Sequence, residues 1–190
     1  TRRTCLDMVL RRDIVLLDVE IVTERLILRP IGLNDLEPIA REFTDQITRY
    51  MYPASARSVM DVAPFIADSL EGLVNNTNLQ LVATSNDSAG QFVGCLGLNK
   101  PETRTPELGI WIAQSFHRKG LGFEAIEALC GWAAEEIECD YLKYPVDRAN
   151  FSSRRIPETL GGEIEDEYDM ITADGRTLNI VEYRIYPETL

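Results

Sequence analysis

The chain is 190 residues long, 45% of them apolar, with 31 acidic and 19 basic side chains and a formal net charge of −12. That length fits one domain with a core of ordinary size, and the apolar content excludes an intrinsically disordered chain. The acidic balance weighs against general affinity for nucleic acid or an anionic membrane and favours cationic partners such as amines.

The opening, TRRTCLDMVLRRDIVLLDVE, sets basic residues ahead of apolar ones. Arg11, Arg12 and Asp13 interrupt the apolar run, so it is not read as a signal peptide. Residues 1–19 read as a possible N-terminal arm of a single domain spanning 1–190. ERLILRP is a first strand, with Leu26 and Leu28 on one face and Arg25, Ile27 and Arg29 on the other; Pro30 and Gly32 end it. NDLEPIAREF opens a helix with Asn34 as cap and Glu37 three residues on, and SVMDVAPFIADSL opens a second with Ser58 and Asp61 at the same spacing. LQLVATS and QFVGCLGLN follow as strands joined by a turn at NDSAG, and ELGIWIA is a fourth strand. In the next helix Leu121, Ala125, Ala128, Leu129 and Trp132 recur at three- and four-residue intervals, which buries one face and leaves Glu124, Glu127, Glu135 and Glu136 on a solvated one. YLKYPV is a fifth strand and SSRRIPETL a short helix ending at Gly161. Two strands around TADGRT close the chain, with Asp174-Gly175 as the hairpin turn. This order describes an α+β domain, mixed in strand direction, whose first half is largely antiparallel.

Cys5, Cys95, Cys130 and Cys139 form neither a C-x-x-C pair nor a zinc-spaced cluster, so no metal site is expected and the protein reads as reduced and cytoplasmic. Cys95, inside FVGCLGL, reads as a small core residue. No apolar run is long enough to span a bilayer.

The most informative stretch is SFHRKGLGFEAIEAL. Gly120 and Gly122 stand where a helix begins, a place where each weakens the helix by roughly 0.5–1 kcal/mol relative to alanine. A helix N-terminus offers unpaired N–H groups and the positive end of the dipole, and glycines let an anion approach them closely. Arg118 and Lys119 add positive charge, so the loop suits a diphosphate. It is not a P-loop, because no G-K-S/T follows, and Ala125 breaks the dinucleotide fingerprint G-x-G-x-x-G. On this stretch alone, a phosphate cradle and a glycine-softened turn both remain open.

Four stretches together resemble the GNAT superfamily of N-acetyltransferases, in particular its ribosomal-protein-alanine (RimJ/RimL) branch. TERLILRP is similar to the branch's opening strand, and ELGIWIAQSFHRKGLGFEA to its central strand, R/Q-x-x-G-x-G/A loop and helix. NFSSRRIPETLGG is similar to its N-x-x-S…L-G segment, and ITRYMYP, more loosely, to the connection between the first helices. The resemblance runs from about residue 21 to the C-terminus. It implies a mostly antiparallel sheet with splayed fourth and fifth strands flanked by helices, and acetyl-coenzyme A as co-substrate.

The resemblance also implies roles. The main-chain N–H groups of His117, Arg118, Lys119, Gly120, Leu121 and Gly122 would cradle the pyrophosphate. The backbone of Ile110, Trp111 and Ile112 would pair with pantetheine in the gap between the splayed strands. Pro145, which has no N–H to donate, fits a strand edge facing that gap or an ordinary edge or bulge. Glu107 would act as base through a water, against the alternative of a surface glutamate, and the N–H of Ile112 would serve the oxyanion. The family's usual tyrosine acid is replaced by Pro157, so Ser153 is the alternative donor, or else part of the helix cap. Asn150 would orient coenzyme A, and Gly162 replaces a usual aromatic residue.

His117, the lone histidine, reads as a phosphate-side or surface residue; no G-x-S-x-G accompanies it. Trp111 and Trp132 are more often core than ligand contacts at such spacing. Arg154 and Arg155 read as a solvated helix face, with the adenosine end of the ligand as the alternative. Tyr50 and Tyr52 could line an acceptor pocket or pack in the core. The expected acceptor is a primary amine, either a protein N-terminus or a small amine, and the expected assembly a monomer or homodimer. The rival readings are a non-catalytic acyl-coenzyme A module and a nucleotide-phosphate protein.

Overall fold

A single sheet organises the computed structural model, which describes residues 14–189. The strands are β1 (Ile21–Val22), β2 (Leu26–Pro30), β3 (Asn78–Ser85), β4 (Phe92–Asn99), β5 (Glu107–Ile112), β6 (Leu142–Asp147), β7 (Glu163–Ile171) and β8 (Thr177–Ile185). They lie in the order β1-β2-β3-β4-β5-β6-β8-β7. The helices are α1 (Leu36–Glu42), α2 (Asp45–Thr48), α3 (Val59–Val74), α4 (Leu121–Glu136) and α5 (Phe151–Thr159). The expected fourth and fifth strands are β5 and β6. Two short elements, β1 and α2, are too brief to leave a periodic signal.

Cross-strand pairing sorts the side chains onto two faces. Leu81, Leu96 and Ile110 share one face, with Tyr144 and Tyr183 further across; Val82, Cys95, Trp111, Lys143 and Glu182 share the other. Helices α4 and α5 cover the first face, where Tyr144 bonds Ser153 and Gly122 adjoins Ile112 and Ile156. The α1 region covers the second: Phe43 stacks on Trp111 with ring centroids 5.0 Å apart, and Asp35 forks onto Arg29 at 2.9 and 2.7 Å. Leu26, Leu28 and Cys95 are buried, as the alternation and the apolar run imply.

Some local expectations change. Asn34 does not cap the first helix; Asp35 does the corresponding work one residue later, accepting from Gly32 N–H at 2.8 Å while its charge is matched by Arg29. At α3 the reading holds: Ser58 accepts from Met60 N–H at 3.2 Å and Asp61 accepts from Ser58 N–H at 2.9 Å. The buried stripe of α4 is Leu121, Ala125, Ile126, Leu129, Cys130 and Ala133, with Ala128 and Trp132 at its margin. The described part of the proposed arm is not separate from the domain. Leu16 and Val19 are buried in the core, and Leu16 N–H reaches Asn76 Oδ1 at 3.3 Å. Residues 1–13, Cys5 among them, lie outside the described residues.

Between β5 and β6 the sheet parts. They run parallel and pair at one register position, Glu107 with Lys143, through Lys143 N–H to Pro106 O at 2.9 Å. Pro145 lies two residues beyond Lys143, so by strand alternation its nitrogen also faces β5, where β5 has already diverged. The missing donor therefore breaks no ladder bond.

Candidate active site

At the entrance to α4, Arg118 (φ 60°) and Gly120 (φ 76°) both adopt left-handed conformations. Gly120 is the N-cap, and no side chain caps the helix. The first returning bond is Glu124 N–H to Gly120 O at 3.1 Å. The N–H groups from Arg118 to Phe123 thus have no main-chain partner among the described residues. Left-handed residues in such a loop converge successive N–H groups into an anion-binding nest, and the positive helix end reinforces it. Arg118 and Lys119 are exposed beside it, with Lys119 Nζ 5.0 Å from the Phe116 ring centroid.

The loop is braced from the turn between β1 and β2. Arg25 donates from Nη1 to Lys119 O at 2.8 Å and from Nε to Glu124 Oε2 at 2.6 Å. Glu124 Oε1 accepts from Arg25 N–H at 2.9 Å and from the Thr23 hydroxyl at 2.6 Å. Glu124, expected on a solvated face, is instead a tie between the first turn of α4 and the β1–β2 turn, with its side chain 15% exposed. Burial alone would push its carboxyl upward, but the hydrogen bonds from Thr23 and Arg25 outweigh that and hold it below the ordinary glutamate value.

Strand alternation decides which β5 groups face the gap. Ala113 N–H bonds Val93 O at 2.8 Å, so odd-numbered residues turn their main chain toward β4; Pro106 O receives Lys143, so even-numbered ones turn toward β6. Ile110 and Ile112 therefore present their main-chain groups to the gap. Trp111 does not: its main chain pairs with Cys95, and its ring packs on Phe43 and on Phe92, the latter at 5.7 Å. His117 folds back so that its Nε2 donates to Ile112 O at 2.6 Å. That leaves the N–H of Ile112 as its group toward the gap.

Glu107 stands at the head of the gap on the α1 side. Burial, then the charge of Glu182, raises its carboxyl above the usual value of 4.5, with Lys143 and Lys100 acting in the opposite direction. A carboxylate so placed is a stronger base than an ordinary glutamate. On the α4 side, the Ser153 hydroxyl lies 2.8 Å from the Tyr144 hydroxyl, and burial pushes the Tyr144 phenol well above its usual range. Asn150 is the N-cap of α5, accepting from Ser153 N–H at 3.3 Å. Pro157 lies inside α5 and is buried. Gly162 N–H bonds Pro157 O at 2.8 Å, and a Cβ on Gly162 would stand 2.9 Å from that oxygen, so no aromatic side chain fits there.

Residues 25–163 match the family profile described as acetyltransferase (GNAT) domain, well over half of the chain. The chain belongs to the GNAT acetyltransferase family. Over 74 residues this GNAT chain is 32% identical to YdaF of Bacillus subtilis, named for ribosomal N-acetyltransferase activity. That match spans 38% of the chain and 40% of the relative. Among solved structures, a Vibrio cholerae protein described as a ribosomal-protein-serine acetyltransferase superposes with a TM-score of 0.75 at 21% identity, covering 90% of this chain and 99% of that one. Mycobacterium smegmatis RimJ, in complex with CoA-disulfide, gives 0.75 at 19% identity, covering 87% and 83%. A Vibrio cholerae spermidine N-acetyltransferase, in complex with CoA and spermine, gives 0.74 at 18%, covering 88% and 98%. At these identities the structures establish the shared fold.

Several GNAT-site neighbours escaped the sequence reading. Thr23 and Arg25 reach the α4 loop and its first turn across a separation of 94 residues or more, which no local spacing can signal. Arg154, read as solvated, donates to Tyr183 Oη at 2.9 Å and to Arg148 O at 3.0 Å, and pins α5 to the sheet; Arg155 is exposed as expected. Tyr52 is exposed, and Tyr50 lies under the Arg49 guanidinium at 5.2 Å. Arg176, in the β7–β8 turn, donates to the carbonyls of Thr48 (3.3 Å), Arg49 (2.9 Å) and Met51 (3.3 Å), closing the hairpin over the end of α2. Only its place in a hairpin turn was legible.

Proposed function

We propose that this protein transfers an acetyl group from acetyl-coenzyme A to a primary amine by direct attack in a ternary complex. One observation carries the reading: the gap between β5 and β6 runs from an open nest of N–H groups at α4 to a carboxylate whose environment makes it basic. The residues suit the co-substrate. The N–H groups of Arg118 to Phe123 match a pyrophosphate in charge and donor count. Ile110, with both main-chain groups toward the gap, offers strand-like pairing to the amides of pantetheine, while the Ile112 carbonyl is held by His117. A methyl group on Gly122 would stand 3.4 Å from Ile156 Cδ1 and 3.6 Å from Ile112 Cγ1, so its absence keeps a groove open between nest and gap. Acetyl-coenzyme A supplies the activated thioester.

Glu107 takes the proton of the attacking amine, directly or through a water. The N–H of Ile112 donates to the oxygen on which negative charge develops. Ser153, backed by Tyr144, gives a proton to the departing sulfur. Relatives named for ribosomal-protein acetylation support a protein N-terminus as acceptor, and the spermidine enzyme supports a small polyamine. The net charge of −12 suits either.

Incubation of acetyl-coenzyme A with a panel of basic proteins and amines, read by intact mass, tests the reading. Acetylated product formed by the wild type and reduced in Glu107→Gln, with coenzyme binding retained, is expected. Binding of acetyl-coenzyme A without consumption above hydrolysis would favour the non-catalytic module, which Pro157 at the usual tyrosine position supports.

A further inference from the structure

Three buried acids are not used in that scheme, and two of them, Asp35 and Asp147, are held by hydrogen bonds from Arg29 and Gly32 and from Ala149 and Asn179. The third, Glu182, in the middle of β8, has a side chain only 7% exposed, and its oxygens, which accept no hydrogen bond from the described residues, are not among the wholly buried unpaired atoms and so keep a trace of solvent access. Among the described residues its one ion-pair contact is Lys143 Nζ at 4.0 Å, the outer limit for such a pair, and Lys143 is itself 30% exposed. A carboxylate withdrawn from water to this degree is ordinarily held by several donors.

Register places it. Glu107 pairs with Lys143, Pro145 pairs with Glu182, and Asp166 of β7 pairs with Glu182 on its other side. Glu107, Lys143, Pro145 and Glu182 therefore share the α1 face, at the level where β5 and β6 separate. Gly109 shares that face two residues beyond Glu107; it is exposed, and a Cβ built on it would meet nothing within 4 Å. Open space thus stands over the seam beside the basic carboxylate, with Glu182 in its far wall. Tyr168 closes another side; burial, then the charges of Glu182 and Glu107, push its phenol upward.

We propose that Glu182 is the ammonium-binding group of the acceptor site, holding the charged form of a primary amine over Gly109 and Pro145 until Glu107 removes its proton. The proposal rests on the acetyltransferase reading and adds to it a recognition element for the acceptor. Lys143 occupies the ammonium's role in the free protein, and its long side chain can swing toward solvent when the substrate arrives. The proton goes from nitrogen to the Glu107 carboxylate, and the neutral amine that remains is the nucleophile. An uncharged acceptor, such as an alcohol or an amide, would leave Glu182 unpaired and is discriminated against.

The roles of Glu182 and Lys143 make opposite predictions. Protein loaded with coenzyme A, which cannot react, is titrated calorimetrically with spermidine and with an alanine-initiated tripeptide. Glu182→Gln should weaken the probe that the wild type takes by roughly tenfold to a hundredfold, the loss of a charged hydrogen-bonding partner. Lys143→Met should tighten it by removing the competing cation. Coenzyme A affinity should be equal in all three proteins. If Glu182→Gln does not fold, Glu182→Asp, which keeps the charge but retracts it, should weaken the probe likewise. Unchanged probe affinity in Glu182→Gln, or a fall in both variants alike, would identify a purely structural pair and overturn the proposal. Wild-type protein that takes coenzyme A but neither probe would also overturn it. Failure to bind coenzyme A at all would instead remove the acetyltransferase reading beneath it.

Discussion

Replacing Glu124 by alanine cuts the tie between the β1–β2 turn and the nest, and its effects can be worked out contact by contact. The carboxylate accepts from Thr23 Oγ1 (2.6 Å), Arg25 N–H (2.9 Å) and Arg25 Nε (2.6 Å). Hydrogen bonds to charged groups contribute about 1.5–3 kcal/mol each when well shielded. Here Arg25 is 47% exposed and water can replace much of what is lost, so the ion pair itself counts for little. A total destabilisation of about 2–3 kcal/mol follows, or a melting point lower by roughly 4–12 °C for a domain of this size. The second effect is local. Arg25, released from Glu124, no longer holds the Lys119 carbonyl at 2.8 Å, and the N–H groups of the nest lose their common aim. Acetyl-coenzyme A should then show a KM about tenfold higher, since a 1.4 kcal/mol loss is a factor of ten. Acetyl-pantetheine, which lacks the pyrophosphate, should be processed as before. Steady-state assays with both donors, at a temperature well below the lowered melting point, make the comparison. An equal loss for both donors would mean the tie serves only general stability, and no loss for either would mean the nest does not hold the pyrophosphate.

Glu107, the proposed base, should govern the acid limb of the reaction. Its carboxyl titrates above 4.5, so kcat/KM should fall as pH drops through that raised value, and Glu107→Gln should lose that limb and about two to four orders of magnitude in rate. The folded state holds this proton more tightly than the unfolded chain, so stability declines as pH rises through the window above 4.5; Glu107→Gln should therefore melt higher than wild type at pH 7. Ser153→Ala leaves the buried Tyr144 hydroxyl without its 2.8 Å partner and should cost about 1–3 kcal/mol by chemical denaturation, whereas Tyr144→Phe should be milder in stability yet slow turnover about tenfold if the hydroxyl pair delivers the final proton. Gly120→Ala forces a side chain to φ 76° and should destabilise by about 1–2 kcal/mol. Gly122→Ala, which fits without strain, should stabilise by about 0.5–1 kcal/mol while its methyl group narrows the groove and weakens coenzyme A binding, as read by calorimetry.

What the sequence made legible was periodic or local. The α4 stripe, the Ser58–Asp61 cap, the strand alternation at Leu26 and Leu28 and the glycine loop each depend on neighbours within a few residues, and each is where it was expected apart from small shifts. The gap was expected from the family resemblance alone; Pro145 fitted it, but a residue without an N–H sits equally well at an ordinary edge or bulge, and only the single β5–β6 register pair decides between them. The errors share a cause. Glu124 and Arg154 are charged residues on helices, and helix periodicity alone assigns them to solvent. Partners distant in the chain, Arg25 in the β1–β2 turn in one case and Tyr183 of β8 in the other, draw them inward. Glu182 was invisible for the same reason: within LNIVEYRI it reads as one outward position of an alternating strand, and only the register across β6 brings it beside Glu107. Asn34 lost its capping role to Asp35 because Arg29, five residues before Asn34 in the chain, fixes the acid one position later.

The single pair joining β5 to β6 divides the sheet into a five-stranded slab and a three-stranded flap, bridged underneath by α4 and α5 and over the top by Arg176. A molecule lying along that crack completes the missing ladder, so the occupant is also a structural member. At a concentration a hundred times its dissociation constant it adds about 2.7 kcal/mol to the folded state. A starved cell, low in the occupant, would therefore hold a softer protein, more easily cut at the crack, and resistance to proteolysis would track metabolic supply.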